Sequence, residues 1–156
     1  MNKAEKYLLT GERLAKFVDS APKETGDRTI ARVVMSLLDN CHHELAEEQR
    51  EDLALARMYW NKTIDRIPRK FFERASARIQ NDDRSGAEHS KQAWLNRLIL
   101  AAFELEKNHH SNSIERVIGY ALTFEIDITV LEAAITRNID DAEHDPPGQT
   151  VSKSFS

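Results

Sequence analysis

The chain is predicted to be all-α, a single domain over residues 1–143 arranged as a bundle or orthogonal array of six or seven helices. A flexible acidic and polar tail is expected over 144–156. Three observations predict this. Apolar residues recur at helical spacing along most of the chain, and no alternating strand pattern of useful length occurs. Only five Gly and four Pro interrupt 156 residues. Finally, 31% of residues are charged against 40% hydrophobic, the balance of helices with solvated outer faces around one core.

Residues 2–19 read as the first helix, with Leu8, Leu14, Phe17 and Val18 as its apolar positions and Thr10-Gly11 as an interruption in its middle. Ser20 to Gly26 has the Pro and Gly of a loop, after which Asp27 is placed to cap the second helix. That helix has the clearest pattern in the chain: Ile30, Val33, Val34, Leu37, Leu38, Cys41 and Leu45 follow helical steps and mark a core element. The charged run AEEQRED reads either as an exposed continuation or as a connection.

A third helix is predicted from about Glu51 to Arg66, with Leu53, Ala56, Trp60, Thr63, Ile64 and Ile67 on its inner stripe. Pro68 lacks an N–H and disfavours helical geometry at Ile67, so the helix ends or kinks there, with Pro68 placed as the first position of a fourth. Phe72, Ala75 and Ile79 mark the fourth helix's inward face, with Phe71 beside it. NDDRSG at 81–86 reads as a turn, and a fifth helix follows over about 87–107, striped by Lys91, Trp94, Leu95, Leu98, Ala101, Ala102 and Leu105. NHHSNS at 108–113 is a polar break in which Ser113 caps a sixth helix carrying Ile114, Val117, Ile118 and Ala121. Thr129 with Glu132 has the form of a capping box opening the last helix, which is expected to end near Asp140.

One local anomaly stands out. Between Leu53 and Gln80 lie Arg57, Lys62, Arg66, Arg69, Lys70, Arg74 and Arg78, opposed only by Asp65 and Glu73, in a chain of net charge -4. Phosphate binding requires Lys and Arg on one surface, with free aromatics where single strands are held, and Tyr59, Trp60, Phe71 and Phe72 are interleaved here. A bend at Pro68 is expected to gather Arg66, Arg69, Lys70 and Arg74 into one corner. Otherwise the cations solvate outer helix faces and pair with Asp65, Glu73 or the acidic C-terminal region, while the aromatics fill the core.

Other chemistries find less support. The last two helices have the lengths of a helix-turn-helix, but residues 125–145 hold seven acids against Arg137, a face that repels a phosphate backbone. This acidic region either mimics nucleic acid, binds a basic partner, or sits against the basic segment of its own chain or of a second copy; otherwise it is a solvated helix end and tail. Asp39 with His42, and Glu106 with His109, have the carboxylate-x-x-His spacing of helical di-metal sites, but such a site also needs a core-facing carboxylate from each of two further helices, and Glu106 to His110 lies where the fifth helix is ending in a polar loop. Cys41 sits on the apolar stripe and reads as a small buried hydrophobe rather than a nucleophile. Gly-rich phosphate loops and nucleophile-elbow motifs are absent.

A single Cys, no apolar leader in MNKAEKYLLTGERL and no run of about 18 apolar residues lead to the expectation of a cytoplasmic protein without a membrane span. The pI of about 5.9 disfavours a general nucleic-acid coat. The expected function is therefore that of a non-enzymatic binding or regulatory protein with no cofactor, presenting charged helical surfaces to a protein partner, itself as a dimer included. A nucleic-acid accessory factor using the basic segment is the alternative, and a helical-bundle metalloprotein a distant third.

Overall fold

The helix made of the densest apolar pattern is also the one the others surround. In a computed structural model describing residues 1–87, 89–103 and 110–144, α2 (Lys23–Asn40) packs against α1 (Lys3–Ser20), α3 (Glu47–Trp60), α5 (Lys91–Ala101), α6 (His110–Thr123) and α7 (Ile128–His144). A further helix, α4 (Arg69–Ser85), packs on α5. Among the described residues there are seven α-helices, one short 3-10 turn at His42–Glu44 and no strand, so the all-α prediction holds. Ile30, Val33, Val34, Leu37, Leu38, Cys41 and Leu45 are all buried, but α2 ends at Asn40, so Cys41 and Leu45, predicted to continue its stripe, flank the 3-10 turn that follows it.

The elements fall into two groups about α2. On one side α1 lies between α6 and α7, contributing Tyr7, Leu14 and Val18 to the core. The Tyr7 hydroxyl donates to the carbonyl of Ile126, fastening the start of α1 to the turn between α6 and α7. On the other side α3, α4 and α5 pack together, with the Phe71 ring against that of Phe103, tilted by 40° at a centroid distance of 3.9 Å. Trp60 is partly buried, and its Nε1 donates to the Ala102 carbonyl at 2.7 Å. α5 joins the groups by packing against α2, α3, α4 and α6, and its residues Leu95 and Leu98 to Ala101 are all buried.

Several boundaries differ from the predicted ones, each for a local reason. α1 runs unbroken through Gly11, because Gly11 serves packing instead: a Cβ there would lie 2.8 Å from Ile118 Cγ1. Leu8 is not a core position but 55% exposed, and Tyr7 takes the inward place. α2 starts four residues before its expected cap, at Lys23 after Pro22, so Gly26 and Asp27 lie inside the helix and are buried. α3 likewise starts early, with Glu47 and Glu48 favourably placed at the positive end of the helix dipole.

α3 ends at Trp60, well before Pro68. Lys62 adopts a left-handed conformation with φ 61°, and the N–H groups of Lys62 and Thr63 cap the carbonyls of Tyr59 and Met58. Pro68 stands immediately before α4 rather than inside it. NDDRSG is not a free turn: α4 continues to Ser85, and only Gly86, at φ 75°, leaves the helix. Glu125 closes α6 in the same left-handed way at φ 51°.

Ser90, whose Oγ accepts from the Ala93 N–H at 3.1 Å, starts α5 later than expected. Ser113 lies inside α6 and is buried. Asp127, not Thr129, caps α7: its carboxylate accepts from the Thr129 N–H at 2.9 Å and hydroxyl at 2.7 Å, which holds its pKa below the usual carboxylate value. α7 extends to His144; the expected tail beyond it, Glu106–His109 and Leu105 lie outside the described residues.

Because α1 and α6 approach closely at Gly11, Gly11→Val is expected to force them apart and lower stability by about 1–3 kcal/mol, measured by urea denaturation. An unchanged midpoint would show that the contact is not limiting.

Candidate interaction surfaces

The basic segment reaches several destinations rather than one face. Arg57 pairs with Asp39 at the end of α2, and Lys62 lies 3.6 Å from Glu24 in the first turn of the same helix. Arg69 pairs with Glu73 one turn on, at 3.3 Å. Arg74 and Arg78 both turn onto α3, where each donates to one carboxylate oxygen of Asp52, and Arg78 also donates to Glu48. Arg74 lies 3.6 Å from Glu48 and 3.8 Å from Glu51. Arg66 and Lys70 are exposed and make no ion pair among the described residues.

Asp52 is the reason for this arrangement. Its side chain is 0% exposed, and an ionised carboxylate in that position is costly unless paired and hydrogen-bonded. The two guanidinium groups supply that pairing. Asn96 of α5 extends the network, accepting from Gln49 Nε2 at 2.7 Å and Arg78 Nε at 3.1 Å while donating to Asp82 at 3.0 Å. The network therefore joins α3, α4 and α5 and consumes two of the predicted binding cations. Its sequence signal is a pair of matching i,i+4 stripes, Glu48 and Asp52 against Arg74 and Arg78, which only a helix-to-helix comparison brings out. The acidic partners of the basic segment are Glu73 and the charged run 48–52 with Asp39 and Glu24; among the described residues none comes from the C-terminal acidic region.

A cleft of about 680 Å³ opens between the start of α2 and the end of α3, lined by Lys23, Asp27, Arg28, Lys62 and Asp65 among others. Lys23 binds Asp27 at 2.8 Å, and the lining also holds Glu24, giving three cations against three carboxylates. Such a cleft has no strong preference for either sign of ligand charge.

A different surface is apolar. α1 and α6 bound a groove of about 400 Å³, with Leu8, Ala15, Ile118 and Leu122 in its lining and Glu12 and Glu115 at its lips. Leu9, 47% exposed, lies on the neighbouring surface of α1. Sequence reading assigned Leu8 to the core and missed this surface. The available signal was the spacing of Ala4, Leu8, Gly11 and Ala15, steps of four, three and four along one face.

The remaining candidates resolve simply. Cys41 is buried, its thiol lies 3.5 Å from the carbonyls of Leu37 and Leu38, the Tyr120 hydroxyl donates to it at 3.7 Å, and burial raises its pKa. A protonated, enclosed thiol is a poor nucleophile. Asp39 is engaged by Arg57, and among the described residues no three His, Cys, Asp or Glu side chains come together as a metal site would require. α7 packs against α1 and α2, and its Thr136 hydroxyl accepts from Arg13 at 2.6 Å. No helix among the described residues is long and apolar enough to cross a membrane.

No protein-family model matches this chain, and comparison with the curated proteins and with the solved structures finds no match. The surfaces themselves are therefore the basis for assigning a role.

Removing Asp52 leaves two guanidinium groups facing a site built for a carboxylate. Asp52→Ala is expected to cost roughly 3–5 kcal/mol in urea denaturation, against a change within about 0.5 kcal/mol for Arg66→Ala on the surface. Equal, small effects would mean that the network is not structural.

Proposed function

We propose that this chain is a non-enzymatic helical binding protein whose partner is another protein, engaged through the groove between α1 and α6. The supporting observation is the exposure of Leu8 beside Ile118 and Leu122 in a groove with little polar lining. An apolar groove rimmed by charged residues is a form that recognition surfaces take, whereas single exposed apolar residues need no explanation. The basic segment contributes less to this role than its charge suggests, because Arg74 and Arg78 are committed to the buried Asp52 and Arg57 is paired with Asp39.

A second role, nucleic-acid binding, has one specific observation in its favour. Arg69 and Lys70 occupy the first turn of α4, where the helix dipole disfavours cations, and the Arg69 side chain is 92% exposed. Together with the exposed Arg66 they are the candidate cationic corner, without Arg74, which pairs with Asp52 instead.

The two roles are tested separately. A photo-crosslinking residue at Leu8 or Leu122 in expressing cells is expected to give a discrete protein adduct that the same residue at Arg69 does not; absence of an adduct at both groove positions would overturn the groove assignment. For the second role, Arg66→Glu with Lys70→Glu is expected to abolish any low-salt mobility shift with single-stranded or duplex nucleic acid. A shift that survives this variant, or no shift in the parent protein, would eliminate the corner as the site. Arg74→Glu is unsuitable here, since it breaks the Asp52 pairing.

A further inference from the structure

Resting on the groove-binding role above, we infer that the occupant of the α1–α6 groove is an amphipathic helix with an apolar seam and basic flanks, carried by a different protein rather than by a second copy of this chain.

The helical form of the occupant follows from the walls. Both are α-helices whose backbone N–H and C=O groups are internally bonded, so an extended peptide would find no edge to pair with. α1 and α6 run antiparallel, since Tyr7 meets Ile126 at one end and Gly11 meets Ile118 and Ile114 further along. Gly11 brings them together and leaves a shallow channel between their ridges, into which a third helix fits by ridge-in-groove packing. Along α1 the exposed face carries Ala4, Leu8 and Ala15 around Gly11, the alternation of three and four steps that matches a helical partner's seam.

The flanking charge follows from the lips. Glu5, Glu12 and Asp19 form a row along α1 beside the seam, all exposed, and Glu115 stands on the α6 lip. Glu12 and Glu115 line the groove itself; the nearest α1 cation, Lys16, lies behind the acidic row on the helix surface. With carboxylates on both lips, Lys and Arg at the flanking positions of an incoming helix gain attraction on each side. A second copy docked by the same face brings acidic rows together, and like-charge juxtaposition disfavours wrong partners of this sort.

The test uses the full chain and two synthetic helical peptides of roughly 20 residues. They share a Leu seam and differ only in Lys or Glu at the flanking positions. By fluorescence anisotropy at low salt, the Lys-flanked peptide is expected to bind at least about tenfold more tightly than the Glu-flanked one. Leu8→Glu should remove that binding without loss of helicity by circular dichroism, and Glu12→Lys with Glu115→Lys should reverse the peptide preference.

Equal binding of both peptides would overturn the charge assignment and leave the groove-binding role standing. Binding by neither peptide, with crosslinked adducts still formed at Leu8 or Leu122, would overturn the helical occupant alone; absence of both would overturn the two together. A dimer in light scattering that Leu8→Glu dissolves would identify a second copy as the occupant and overturn the inference.

Discussion

The burial of α2 on nearly every side is the constraint from which the rest of the arrangement follows. A helix enclosed in this way must be apolar where its neighbours are apolar and must satisfy its polar groups locally where they are not. The middle and end of α2 meet the first requirement through Ile30, Val33, Val34, Leu37 and Leu38. Its first turns meet the second only in part: Asp27, although buried, accepts from Lys23 four residues earlier, and the Thr29 hydroxyl bonds back to the Thr25 carbonyl, while the buried Thr25 hydroxyl has no hydrogen-bond partner among the described residues. Five helices then have their inward faces defined by a common neighbour, and each must use its remaining surface for other contacts or for solvent.

On the α3–α4–α5 side that remaining surface is charged, and the charges are used in holding helices together. A single enclosed carboxylate, Asp52, requires cations from α4, and Asn96, accepting from Nε of Arg78, ties that arginine to α5. This interaction constrains α4 in addition to its packing on α5, because two arginines four residues apart both reach one acid. The apparent electrostatic polarity of the chain is thereby largely cancelled at short range, leaving Arg66 and Lys70 as exposed residues of the segment without an ion pair among those described. A charge excess along a sequence is thus not a charge excess on a surface.

On the α1–α6–α7 side the contacts are apolar and close, and the consequence is opposite. α1 directs Tyr7, Leu14 and Val18 inward between α6 and α7, which leaves Leu8 and Ala15 on a face that no described element covers. Gly11 narrows the separation of α1 from α6 and so shapes the groove as well as the packing. The surface proposed for binding is in this sense a by-product of how tightly the helices beneath it are joined.

The sequence alone determined that the chain is helical, that α2 is a core helix, that Cys41 is enclosed, and that Ile114, Val117, Ile118 and Ala121 face inward. Each of these is set by periodicity within one helix, which local residues dictate. Helix ends were less legible, because left-handed closure by Lys62 and Glu125 uses residues without the usual glycine signal. Only the tertiary structure decided which carboxylate each arginine would meet and which leucine would stay outside. Arg74 had acids available near it in sequence, yet it pairs with a residue 22 positions away on another helix. Burial there makes the pairing obligatory, and burial belongs to the packed molecule rather than to any one stretch of its chain.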